Sequence, residues 1–264
     1  GIRDKLVTGV QTCALPISAQ SGFGGSYPVL PGDNGAGHAT KGPQLGDGRD
    51  SEGAGTPSVG ATGDDSAGID DEDGVRFIST FLRSATTDTI ASVAVDLTNP
   101  DNSHNYIDAW IDFNRDGDWN DPGEKIINSV DLGTIAGEHV LSFTIPQGSQ
   151  VGGTYARFRI SPDGGLAPTG IDLLGGEVED YEVTILAQTP QQDVTVKPPP
   201  GGGPIQVQKV GDYVEISQDG LILQRMLAME MGPLYLVGTA ETNDLFILDF
   251  TQGYRKSTRL NSSH

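Results

Sequence analysis

Apolar and polar positions begin to alternate with a period of two at Val75 and continue to do so, in short runs, as far as Leu186. Ala91, Val93, Val95 and Leu97 share one face of the first clear run, and Ile107, Ala109, Ile111 and Phe113 share a face of the next. Successive side chains of a strand point to opposite faces, so this alternation predicts strands. Further runs cover Lys125 to Leu132 and His139 to Ile145, the latter with Leu141, Phe143 and Ile145 inward. From Tyr155 to Ile160, inward Ala156, Phe158 and Ile160 alternate with outward Tyr155, Arg157 and Arg159, and a last run aligns Tyr181, Val183 and Ile185. Gly, Pro, Asn and Asp separate the runs, and no stretch of similar length has a helical period. The expected fold is all-β: an antiparallel β-sandwich over 75–186 with one two-layer core.

Outside that block the pattern weakens. Residues 18–74 are rich in Gly, Asp and Ser and end in a crowd of carboxylates, Asp70, Asp71, Glu72 and Asp73, just before the first strand. Their mutual repulsion requires a nearby cation if they fold, so the segment is expected to pack on the sandwich with Asp70, Asp71 and Asp73 as candidate metal ligands. The stretch 187–204, which includes TPQQDVTVKPPPGGGP, reads as a Pro/Gly linker. Alternation resumes from Val207 to Phe250, predicting a partial second β unit over 205–254.

The two ends read as translated sequencing adapter. Val7 to Pro16 can be encoded by GTG ACT GGA GTT CAG ACG TGT GCT CTT CCG, whose reverse complement translates as RKSTRLNSSH, the sequence of Arg255 to His264. Residues 1–17 and 255–264 are therefore expected to lie outside the native protein. Without their five basic and one acidic residues, 11 Lys+Arg stand against 35 Asp+Glu, a net charge of −24. Such a field repels phosphate backbones and anionic lipid headgroups, so nucleic acid is excluded as a partner and cations are the natural counter-charge. The one cysteine, Cys13, lies in an adapter-like end, so no disulfide framework is expected. No apolar run is long enough for direct membrane insertion.

Chemistry concentrates in Ile111 to Glu124, IDFNRDGDWNDPGE. Asp112, Asn114 and Asp116 alternate, Gly117 follows where a cation loop must turn sharply, and Asp118 and Glu124 extend the oxygen donors. This matches the opening of an EF-hand loop, in which alternate oxygens wrap a hard cation. The match then departs, since the twelfth position is Gly123 and the flanks read as strands. The expected ligands of Ca2+ are Asp112, Asn114, Asp116, Asp118 and Glu124. The bland alternative is an acidic turn without metal.

A second motif, Gly176-Glu177-Val178-Glu179-Asp180-Tyr181, opens the last strand, and alternation puts Glu177 and Glu179 on one face with Asp180 opposite. Both glutamates are candidate metal or loop-anchoring groups. GEVEDY, with the upstream AWIDFNRDGDW, TYARFRIS and DDEDGV, resembles the GEVED domain of bacterial secreted and surface proteins over about 24–186. DNGAGHA around His38 and GPQLG at Gly42-Pro43 also resemble its opening, whereas the acidic lead expected before Ser26-Tyr27 is replaced by AQSGFGG. The resemblance implies a non-catalytic β-rich accessory module of a secreted or cell-surface protein. Its role would be that of a structural or adhesive spacer with a cell-surface protein or glycan as partner.

Catalysis is poorly supplied. The histidines outside the ends are His38, His104 and His139, and no HExxH, G-x-S-x-G or GxxxxGK[ST] occurs. The competing function is carbohydrate binding, as a lectin-like module accessory to a secreted hydrolase, because Trp110 and Trp119 flank the acidic loop and sugars stack on exposed aromatic rings.

Overall fold

A computed structural model describes residues 10–12, 27–29, 32, 34–49, 72–238 and 246–249. Among them the regular structure is β-strand, apart from 3-10 turn such as that at Ala228–Glu230, with no α-helix. The strands are β1 (Val10–Thr12), β2 (Gly37–Ala39), β3 (Gln44–Leu45), β4 (Val75–Phe77), β5 (Leu82–Arg83) and β6 (Thr89–Thr98). Next come β7 (Tyr106–Ile111), β8 (Lys125–Asp131), β9 (Gly137–Ile145), β10 (Gly152–Ser161), β11 (Ile171–Asp172) and β12 (Glu177–Ala187). The last are β13 (Val194–Val196), β14 (Ile205–Val210), β15 (Tyr213–Gln218), β16 (Leu221–Leu227), β17 (Leu234–Leu236) and β18 (Phe246–Asp249). They belong to two compact units, one of Gly1–Val75, Val95–His139 and Gly153–Val183, the other of Arg76–Ala94, Val140–Gly152 and Thr184–His264.

The first unit is built on the strand order β12-β10-β7-β8. Strands β10 and β7 pair antiparallel with Phe158 opposite Ala109 and Ile160 opposite Ile107. Ile107, Ala109, Ile111, Ala156, Phe158 and Ile160 are fully buried, as the alternation predicts. The opposite face departs from expectation: Tyr155, Arg157 and Arg159 are not outward but only 1%, 0% and 1% exposed. Two stretches cover that face. Tyr27, Val29 and Ala36 join Trp110, Trp119, Tyr155 and Val178 in an apolar cluster, and the loop after β10 folds back onto the two arginines. Period-two alternation marks which residues share a face, but it cannot show that a polar face is roofed by an irregular segment.

A small sheet completes the unit, with β2 between β1, antiparallel, and β11, parallel. Its first strand lies within the stretch read as adapter. Backbone pairing of this kind asks little of side chains, so three extended residues beside an available edge suffice.

In the second unit β14, β15 and β16 form an antiparallel meander, with β18 parallel on the outer side of β14. Arg225 of β16 pairs with Ile90 of β6, and Leu186 of β12 pairs in parallel with Leu82 of β5. One core contains Ile78, Leu82, Val207, Ile216, Met226 and Leu234. Residues on both sides of the expected boundary at Leu186 thus share a core. The stretch read as a linker also contains β13, which pairs in parallel with β17 and buries Val194 and Val196 in this cluster. Three residues, VTV, are too short a run to stand out between prolines and glycines. The pairing that justifies them lies about forty residues downstream.

Val196→Ala therefore removes two methyl groups from a fully buried site. It is expected to cost about 2 kcal/mol, read as a lower urea midpoint of the full chain; a linker residue at this position would leave the midpoint unchanged.

Candidate functional site

The loop between β7 and β8 is held from beneath by two buried carboxylates. Asp112, fully buried, accepts the Arg115 N–H on Oδ1 at 2.5 Å, and on Oδ2 the Gly117 N–H at 3.0 Å and the Tyr27 hydroxyl at 2.5 Å. Glu124, 2% exposed, accepts the Phe113 and Asn114 N–H groups on Oε1 at 3.0 and 3.4 Å and the Asp121 N–H on Oε2 at 3.2 Å. Burial pushes the Asp112 carboxyl above its ordinary range and the Glu124 carboxyl up to about 7. Both residues, expected as cation ligands, thus turn their oxygens toward the loop's own backbone and, for Asp112, the Tyr27 hydroxyl. Gly117, at φ +95°, makes the sharp turn that a side chain would resist.

The rim of the loop is a ladder of side-chain turns. Asn114 Oδ1 accepts the Asp116 N–H at 3.0 Å, Asp116 Oδ1 that of Asp118 at 3.2 Å, and Asp118 Oδ1 that of Asn120 at 2.8 Å. Asn114 Nδ2 in turn donates to Asp116 Oδ2 at 3.0 Å and Asp121 Oδ2 at 2.6 Å. Asp and Asn do this readily because their side chains reach the amide two residues on. The ladder gathers one carboxylate oxygen each from Asp116, Asp118 and Asp121 within 4.8 Å of one another. Asp116 and Asp118 were legible in the alternate spacing. Asp121 breaks that spacing, and only its place three residues after Asp118 in an acidic loop hinted at it.

The other expected ligands do different work. Asp70 and Asp71 lie outside the described residues. Asp73 uses both oxygens to accept the Asp47 N–H at 3.1 Å, and Oδ2 also takes the Gly48 N–H at 3.1 Å. Glu177 accepts the Leu45 N–H at 2.5 Å, and Glu179 accepts the Gly74 N–H at 2.9 Å and the Tyr181 hydroxyl at 3.1 Å. Tyr181 passes the contact on by accepting the Val75 N–H at 3.1 Å. Glu177 and Glu179 are fully buried anchors for the leading segment, and the metal-compatible cluster includes neither. On the other face of β12, Asp180 forms a two-pronged pair with Arg157, Nε to Oδ1 at 2.7 Å and Nη2 to Oδ2 at 2.8 Å, with both side chains fully buried. The glycine that opens the motif is equally constrained: Gly176 has φ +135°, and a Cβ there would lie 1.9 Å from the Ile160 carbonyl oxygen.

The two tryptophans are buried, at 2% and 3% exposure. Trp119 packs 4.7 Å from the Tyr27 ring and under the Arg157 guanidinium at 4.5 Å, and its Nε1–H donates to the Tyr155 carbonyl at 3.3 Å. Neither ring is the exposed stacking platform that the lectin alternative needs.

An all-β unit in which buried carboxylates anchor loops to one strand and a rim of aspartates projects from another is thus the class that the geometry defines. Residues 106–184, from β7 into β12, match the family model of the GEVED domain. This span holds the acidic loop, both arginines and the Gly176–Tyr181 motif, and it is narrower than the 24–186 of the sequence resemblance. No curated protein matches the chain. Among solved structures, the CARDB domain of a Pyrococcus furiosus protein, in complex with di-metal ions, is 12% identical with a TM-score of 0.26, covering 43% of this chain and 92% of that one.

Anchors and rim should respond differently to substitution. Asp180→Ala leaves the Arg157 charge buried without its carboxylate and is expected to cost about 3–5 kcal/mol. Asp121→Ala, measured by urea denaturation in chelator, should change stability by no more than about 0.5 kcal/mol.

Proposed function

We propose that this chain is a non-catalytic module of a secreted or cell-surface bacterial protein, a spacer or adhesive element stiffened by Ca2+ at the rim of the 112–124 loop. The observation that carries the proposal is the approach of Asp116, Asp118 and Asp121 to within 4.8 Å, on a loop whose backbone Asp112 and Glu124 already hold in shape. Three carboxylates at that separation repel one another, and a divalent cation removes the repulsion. The donor set is all hard oxygen, with no Cys or His, which suits Ca2+ rather than zinc or copper. Carboxylates drawn from a surface rim, completed by water and backbone carbonyls, also suit the loose six- to eight-fold shell of calcium better than the tight octahedron of magnesium.

Support for an extracellular setting comes from the GEVED match and from the acidic charge, and among the described residues no helix is long and apolar enough to cross a membrane. A cell-surface protein or glycan remains the partner class of this reading. Glycan recognition would use the cation and rim, because both tryptophans are buried.

At about 1 mM calcium and a dissociation constant of about 10⁻⁴ M, mass action adds about 1.5 kcal/mol of stability. Calcium should raise the melting temperature of the full chain by several degrees over chelator, magnesium should do so poorly, and Asp116→Ala or Asp121→Ala should abolish the gain. Equal melting of the wild type in calcium and in chelator would reduce the rim to an ordinary acidic turn.

A further inference from the structure

His38, in the middle of β2, is fully buried and touches the most heavily engaged side chain of the first unit. Arg159 donates its Nε–H to His38 Nε2 at 3.0 Å. Its Nη1 donates to the Ala167 and Thr169 carbonyls at 2.7 and 3.0 Å, and its Nη2 to those of Gly37 and Gly170 at 3.2 and 2.9 Å. Because Nε2 accepts, the imidazole is neutral and carries its proton on Nδ1, which lies buried beside Gly175. Burial first, and then the charge of Arg159, hold its protonation well below the ordinary histidine range.

The groups around the ring offer a second charge no relief. Arg159 and Arg157 of β10 and Arg49 beyond β3 are the cations that bear on it. Arg49 itself donates to the carbonyls of Gly42, Pro43 and Gly176, and Glu177 stabilises its charge. Asp172 of β11 is in register with His38 but accepts the Leu174 N–H at 2.9 Å, and β1 brings uncharged Gln11 into register. Glu177 is engaged with the Leu45 N–H.

We propose that His38 and Arg159 form an acid-operated catch that holds β2 and the 167–170 loop to the sheet. A proton from solvent taken up at Nε2 turns the acceptor of the Arg159 Nε–H into a second donor and sets two buried cations against each other. The catch then opens: β2 and the loop leave, while β7 and β10 keep their ladder. The sign follows from linkage. The folded state binds fewer protons at this site than the unfolded state, so the stability of the docked segment is complete above pH 6.5 and falls as pH drops below it. The catch does not depend on the cation reading.

The test is amide hydrogen exchange of the full chain in chelator from pH 7.5 to 4.5, corrected for intrinsic rates. Protection of Gly37 and Gly170 is compared with that of Phe158 and Ile160 in the same unit. In the wild type the ratio should fall by up to tenfold per pH unit below pH 6.5, and in His38→Gln, whose side-chain oxygen still accepts from Arg159 but takes no proton, it should stay flat. A flat ratio in the wild type, the same slope in the variant, or parallel loss of protection in β10 would each overturn the catch. Should His38→Gln fail to fold, the wild-type imidazole decides by NMR. Protonation of His38 coincident with the loss of Gly37 protection supports the catch, and protonation with Gly37 still protected overturns it.

Discussion

A guanidinium presents five N–H donors in one plane, and burying it is tolerable only if every donor meets an acceptor. Arg159 meets that requirement entirely with neutral groups, four carbonyls and an imidazole nitrogen. Arg157, two residues earlier, directs three of its donors to the Asp180 carboxylate and the Pro168 carbonyl, the latter at 2.7 Å, and lays its plane over the face of Trp119. These two demands explain why one face of the β12-β10-β7-β8 sheet is roofed by irregular chain. A loop of carbonyls is what a buried guanidinium needs, and a regular strand, whose carbonyls are committed to its ladder, could not supply it.

The same logic runs with opposite sign along β12. Glu177 and Glu179 need donors, and the leading segment supplies them as backbone N–H groups at Leu45 and Gly74. Asp112 and Glu124 do likewise for the acidic loop. Acidic residues in this chain therefore fall into two populations. Those inside meet donors, backbone amides for Asp112, Glu124, Glu177 and Glu179 and the Arg157 guanidinium for Asp180, and shape the chain. Those on the rim, Asp116, Asp118 and Asp121, bring one carboxylate oxygen each within 4.8 Å of one another.

The sequence made the strands legible because period two survives wherever a strand has one apolar side, as it does from Ile107 to Ile111 and from Ala156 to Ile160. It also made the acidic loop legible, since Asp112, Asn114, Asp116 and Gly117 follow a spacing that local backbone geometry enforces. What it hid depends on partners distant in the chain. Nothing near Arg157 reveals Asp180, and nothing near Glu177 reveals Leu45. Spacing alone assigned Asp112 and Glu124 to a cation because it counts oxygens without knowing which way they turn. Val194 and Val196 were masked by flanking prolines and glycines, and the compact units were obscured because their strands come from scattered stretches of sequence.

The anchors on β12 and at Asp73 hold the leading segment by main-chain amides rather than by side chains, and this has an evolutionary consequence. A grip on the backbone constrains where the chain runs at Leu45, Asp47, Gly48 and Gly74 and asks little of the exposed letters there, in contrast to Tyr27, Val29, Ala36 and His38, whose side chains are themselves engaged, and to sites of close approach such as Gly46, where a Cβ would come 1.8 Å from Asp73 Oδ1. The exposed described positions of that segment, such as Asn34, Lys41 and Asp47, are accordingly free to drift, acquire new recognition properties or evade old ones while the scaffold beneath them stays the same.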